Sequence, residues 1–164
     1  MSFATDLLAQ ARYLATREPK RPKQVSLRRA LSAAYYALFH LLTAEAANQF
    51  APNPLRSKVK RVLQHSAMRK VCEQVERGSL GGPLSGSLVM PIEEELRDIA
   101  KAFVELQQLR HQADYDMDYS PTRTDVLQKI LMADQAFAEW TRIRRNPNTT
   151  VFLASLLFFD RWRQ

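Results

Sequence analysis

Between Arg110 and Asp116 the chain places an arginine, a histidine, two carboxylates and a tyrosine. Arg110 and Asp114 are four residues apart, as are His111 and Tyr115, and on a helix residues at that spacing share a face and touch. A guanidinium stays charged at any physiological pH and suits a phosphate. An imidazole exchanges protons near neutrality, and a phenol donates or accepts a hydrogen bond. The same residues also suffice for a well-capped helix end, with Arg110 paired to Asp114, Asp114 or Asp116 capping the turn, and Tyr115 packed over it. Function turns on which use the fold makes of them.

The elements that must position this cluster follow from hydrophobic periodicity. Spacing predicts a first helix over about Ala4 to Arg17, with Phe3, Leu7, Leu8, Ala11, Leu14 and Ala15 on one stripe, stopped by Pro19 and Pro22. A second runs from an N-cap near Ser26 to about Asn48, with Leu27, Leu31, Ala34, Tyr35, Leu38, Leu41 and Leu42 inward. Ala33-Ala34 lets a neighbouring helix approach closely. A third covers about Leu55 to Arg77, with Val59, Val62, Leu63, Val71, Cys72 and Val75 inward and Gly78 as C-cap. A glycine-rich loop leads to a fourth helix opening at Pro91 and Glu93–Glu95. Its stripe of Ile92, Leu96, Ile99, Phe103 and Leu106 delivers Arg110 to the edge of the core. A fifth restarts after Ser120-Pro121, with Val126, Leu127, Ile130, Leu131, Phe137 and Trp140 inward. A last apolar helix, about Thr150 to Arg161, packs into the bundle or offers a dimer contact.

These elements make one all-α domain over residues 1–164. It is an up-and-down antiparallel bundle of five to six helices, with a core over about residues 3–145 and a C-terminal helix over about 150–161. At 164 residues, 46% of them hydrophobic, the chain is long and apolar enough to bury a real core. The single cysteine excludes a disulfide framework and reads as a buried thiol. The longest apolar run, Val151–Phe159, is too short to span a bilayer, and Met1–Gln10 lacks a secretory pattern, so a cytoplasmic protein without membrane contact is expected. The net charge of +7 permits a polyanionic partner, and the excess concentrates in Arg17–Arg29 and Arg56–Arg77.

Two blocks point to a family. One is Ser32-Ala33-Ala34-Tyr35-Tyr36-Ala37-Leu38-Phe39-His40; the other is Arg110-His111-Gln112-Ala113-Asp114-Tyr115-Asp116. Together with the order of helices over roughly Leu8 to Trp140, and Gln64-His65-Ser66 in the third helix, they resemble the HEPN superfamily. That resemblance implies a small helical domain, frequent homodimerisation, and in many members RNA cleavage. It also implies a toxin–antitoxin or defence context, some members being paired with a nucleotidyltransferase. The ribonuclease signature is an arginine followed after four to six residues by a histidine. Arg110 matches the arginine, but the histidine positions hold Tyr115, Asp116 and Met117.

Metal-free cleavage needs a base for the ribose 2′-hydroxyl and a cation for the phosphorane charge. Arg110 can supply the cation. His111 is the right chemistry but lies about 100° round the helix from Arg110, and Tyr115 is protonated at neutral pH. The expected catalytic set is therefore Arg110 with Tyr115 or His111. The expected RNA- or nucleotide-binding set is Arg110, His111, Asp114, Tyr36, His40, Arg28 and Arg29. Three functions follow: an RNA- or nucleotide-associated module without full ribonuclease activity, a metal-independent ribonuclease, and a helical scaffold for a protein partner. No cofactor or metal is expected. Asp114, Asp116, Asp118 and Asp125 imitate a calcium loop, but Tyr119 occupies its glycine position. His40 reads as a core histidine and His65 as exposed, though both, far from Arg110 in sequence, can approach it in the bundle; one of Tyr35 and Tyr36 reads as a hydrogen-bonding group near Arg110. Asn148-Thr149-Thr150 matches a glycosylation pattern and reads as a helix cap.

Overall fold

The computed structural model describes residues 2–161 and is all-helical over them. Its α-helices are α1 (Phe3–Thr16), α2 (Gln24–Phe50), α3 (Arg56–Val62), α4 (His65–Glu76), α5 (Glu94–Tyr115), α6 (Arg123–Ile143) and α7 (Pro147–Phe158). Short 3-10 turns lie at Asn53–Leu55 and Ser85–Ser87. Among the described residues no helix is long and apolar enough to cross a membrane.

Local chemistry sets the ends. Ser2 caps α1 by accepting from Thr5 N at 3.2 Å while Thr5 Oγ1 accepts from Ser2 N at 2.9 Å, a reciprocal box. Thr122 and Asp125 do the same for α6. At the end of α4, Gly78 takes φ +78°, a left-handed conformation that side chains disfavour. Gly78 N then reaches Val75 O at 2.8 Å and Ser79 N reaches Gln74 O at 3.1 Å, closing the last carbonyls.

Helix α2 runs through the centre, packed on α1, α3, α5, α6 and α7. It can be buried on several sides because alanine dominates its close contacts: Ala30, Ala33, Ala34, Ala37, Ala46 and Ala47 are all buried. Around it pack Leu8 and Ala11 of α1, Leu96, Ile99, Phe103 and Leu106 of α5, and Ile130 and Trp140 of α6. Helix α4 lies on α5 and α7, with Met68, Val71, Cys72 and Val75 inward. The Cys72 thiol is buried, and that burial pushes its pKa well up, so it behaves as an inert core group. The apolar α7 packs inward through Phe152, Leu153 and Leu156.

The structure departs from the sequence expectations in several places. The third helix is two helices, because Leu63 and Gln64 adopt extended backbone between α3 and α4. Val62 is consequently exposed and Val59 only half-buried. Ser26 does not cap α2. It is buried inside the first turn and donates to Glu18 Oε1 at 2.9 Å, while Lys23 holds the N-cap position. Phe3, Leu127 and Leu131 face outward. Helix α5 starts at Glu94, after Pro91 and the N-cap Glu93. Asn148 is buried: its side chain donates to Val89 O and Glu93 Oε2 and accepts from Val89 N, tying the loop before α5 to α7.

Much of the positive charge serves the fold. Four helices have an arginine bonded to the carbonyls at their C-terminal ends, where the helix leaves acceptors unused and the dipole is negative. Arg123 donates to Ala15, Glu18 and Pro19 after α1. Arg56 donates to Ala51 after α2 and Arg97 to Glu76 at the end of α4. Arg28 takes the end of α5, donating to Ala113 (3.3 Å), Asp116 (2.8 Å), Met117 (3.0 Å) and Tyr119.

Candidate functional site

Arg110 sits one turn before the end of α5, where α2 and α4 meet it. Its Nε lies 2.9 Å from Asp114 Oδ2, its partner one helical turn on. The oxygen is off the N–H direction, so the pair is a contact of charges and Nε keeps a buried, unaligned hydrogen. Nη2 donates to Tyr36 Oη at 2.7 Å. The guanidinium carbon is 5.4 Å from the Tyr36 ring centre and 5.9 Å from that of Tyr115, within reach of the aromatic quadrupole. Burial works against the charge, but Tyr36 and Asp114 outweigh it and hold the Arg110 pKa above its ordinary value. Asp114 is anchored a second time, because Ser32 Oγ donates to its Oδ1 at 2.8 Å.

The adjacent tyrosines of α2 divide as their directions require. Tyr35 is fully buried and Tyr36 half-buried at Arg110. The Tyr35 hydroxyl lies 2.5 Å from Nδ1 of His65, the first residue of α4. Burial drives the Tyr35 pKa upward, so the phenol keeps its proton. His65 stacks on Phe39 at 4.1 Å and meets Tyr36 edge-on at 6.0 Å. Burial first, then the charge of Arg110 and the proximity of His40, lowers the His65 pKa. His40 is packed between Phe3 and Phe39, at 4.9 and 5.3 Å, and is lowered by burial and by Lys60. Both imidazoles are neutral at physiological pH.

Three helices thus bring Arg110, Tyr36, Asp114, His40 and His65 together. Of the expected site residues, Tyr36 meets Arg110 directly, and Asp114 pairs with it. His111 lies on the exposed side of α5 with its ring 4.9 Å from that of Tyr115. Tyr115 does not pack over the helix end; it is 66% exposed. Asp116 accepts from Asp118 N at 2.9 Å and shapes the turn after α5. Asp125 is spent on capping α6, and among the described residues no three His, Cys, Asp or Glu side chains gather to hold a metal ion. Arg28 is engaged with four carbonyls, whereas its neighbour Arg29 is exposed and takes part in no ion pair among the described residues. Arg28 and Arg29 line a shallow groove of about 490 Å³ with Val25, Asp114, Tyr115 and Met117.

His65, which read as exposed in sequence though able to approach Arg110 in the bundle, is half-buried. Its place depends on the break after α3, which turns the start of α4 toward α2, and neither proline nor glycine marks that break. The one local signal is Tyr35 on the core stripe of α2, a buried phenol that requires a polar partner.

Comparison of the chain with protein-family models finds no match, and the curated proteins and solved structures likewise contain none.

Proposed function

We propose that this chain is a HEPN-like bundle that holds a phosphate of RNA or of a nucleotide at Arg110, without the full ribonuclease activity of that superfamily. The observation that carries the reading is the convergence of α2, α4 and α5 on one firmly charged guanidinium, bonded to the Tyr36 phenol, with the neutral imidazole of His65 close enough to feel its charge and that of His40 on the far side of Tyr36. Ser32 keeps Asp114 hydrogen-bonded on its other oxygen, so Arg110 can turn toward a phosphate without stranding the carboxylate. Exposed Lys58, Lys60 and Arg61 on α3 extend the positive field near His40. In the same reading the chain acts as a homodimer, and a nucleotidyltransferase partner within a toxin–antitoxin or defence pair fits the resemblance.

Arg110→Ala tests this directly. Its affinity for single-stranded RNA at low salt should fall at least tenfold below that of the parent chain, with helical circular dichroism retained. Unchanged affinity would overturn the assignment.

His65 favours a second reading, metal-independent RNA cleavage, because it returns an imidazole to the neighbourhood of Arg110. As a base it needs the tautomer in which Nδ1–H donates to Tyr35 and Nε2 is bare. Incubation with RNA in a chelator decides. Cleavage lost in both Arg110→Ala and His65→Ala supports an enzyme, and cleavage surviving both contradicts it.

A further inference from the structure

The groove beside Arg110 has a composition that phosphate binding alone does not explain. Tyr115 is 66% exposed, Met117 87% and Val25 62%, and all three line the same groove. Single exposed apolar side chains need no explanation, but three around one concavity do. Tyr115 is also presented in a fixed place. It lies against His111 one turn back, and the Arg110 guanidinium is 5.9 Å from its ring. The backbone beneath it is pinned by Arg28 through Ala113, Asp116, Met117 and Tyr119. One wall thus offers an aromatic face, the rim offers the exposed cation Arg29, and Arg110 stands one turn away. Asp114, which also lines the groove, is paired with Arg110 and bonded to Ser32. The groove's volume of about 490 Å³ lies in the range of small-ligand sites.

We propose that this groove is a base-stacking subsite that takes one unpaired nucleotide of single-stranded RNA, its base on Tyr115 beside Met117 and its flanking phosphates on Arg110 and Arg29. The proposal rests on phosphate contact at Arg110 and adds the class of nucleic acid. A base inside a duplex shows no π-face to a side chain, whereas a single strand can lay one on an exposed ring. An uncharged protein segment would also cover the apolar residues, but it would leave Arg29 without an anion.

The test measures the affinity of the full chain for four probes at one low salt concentration: a short single-stranded RNA, a duplex of equal length, inorganic polyphosphate and AMP. The single strand should bind more tightly than the duplex. Tyr115→Ala should weaken single-strand binding by roughly five- to 150-fold, the range for one base–aromatic stack, while Tyr115→Trp retains it. Polyphosphate affinity should ignore Tyr115→Ala and fall in Arg110→Ala. If Tyr115→Ala leaves single-strand affinity unchanged while Arg110→Ala lowers it, stacking is overturned and phosphate contact survives. Equal affinity for duplex overturns stacking as well. AMP binding as tight as that of the strand, and lost in Tyr115→Ala, overturns the strand in favour of a free nucleotide. An absence of binding to every probe removes both readings.

Discussion

Arg28 and Arg29 are adjacent in sequence and opposite in use, and exchanging each for alanine should separate stability from binding. Arg28 closes the end of α5 through four carbonyls. Its bonds to Asp116 and Met117 are exposed, so water replaces them cheaply. Those to Ala113 and Tyr119 are partly buried and count for more. A hydrogen bond from a charged donor contributes roughly 1.5–3 kcal/mol. The Ala113 contact is long, so the two together give about 2–4 kcal/mol for Arg28→Ala. At roughly 2–4 °C per kcal/mol for a chain of this size, the melting temperature should fall by about 4–16 °C. Arg28→Lys should recover less than half of the loss, because one ammonium cannot span carbonyls spread across the turn. Arg29→Ala should stay within about 0.5 kcal/mol of the parent, as an exposed side chain does, yet weaken RNA binding. Urea melts of the three variants, with RNA titrations below their transitions, decide the matter. Equal stability of Arg28→Ala and Arg29→Ala would refute the division of labour.

Other outcomes follow from the same geometry. Gly78→Ala should cost about 1–2 kcal/mol in a urea melt, because φ is +78° while the nearest atoms to an added Cβ, those of Arg97, lie at 3.8 Å and do not clash. His40 and His65 bind protons more weakly folded than unfolded. The unfolded chain therefore gains protons first as pH falls, and the contribution of these two groups to stability should be steady above about pH 6.5 and decline below it. His65→Gln should flatten that decline, and an unchanged profile would contradict a neutral His65. Asp114→Asn keeps the bond from Ser32 and removes the anion beside Arg110, so RNA affinity should rise; a fall would mean that Asp114 positions Arg110 for its ligand.

Sequence periodicity carried the parts of the fold set by single helices. The stripes Leu27–Leu31–Tyr35–Leu38–Leu42 and Leu96–Ile99–Phe103–Leu106 are core in the structure, and the prolines around positions 19–22 and 52–54 separate helices as expected. What stayed hidden is tertiary. Leu63 and Ala67 keep a helical spacing across the break between α3 and α4, so periodicity reads through it. Arg28 looks like one member of a basic run, because its acceptors are carbonyls near position 116, far along the chain. The Arg110–Asp114 pair was legible because one helix holds both residues. The Tyr36 contact was legible only as the demand of a second tyrosine for a partner. For His65 the sequence offered only that it could approach Arg110 in the bundle; its half-buried setting is made by Tyr35 and Phe39 of another helix.

Phosphate contact at Arg110 is tested most directly by the salt dependence of RNA affinity for the parent chain and Arg110→Ala. The logarithm of the affinity should fall linearly with the logarithm of salt concentration, as cations displaced from the phosphates are released. Arg110→Ala should reduce that slope by roughly one phosphate's worth, about 0.7–0.9. A parent chain that binds at low salt with a slope equal to that of Arg110→Ala would show that Arg110 meets no phosphate, and would return it to the role of partner to Asp114.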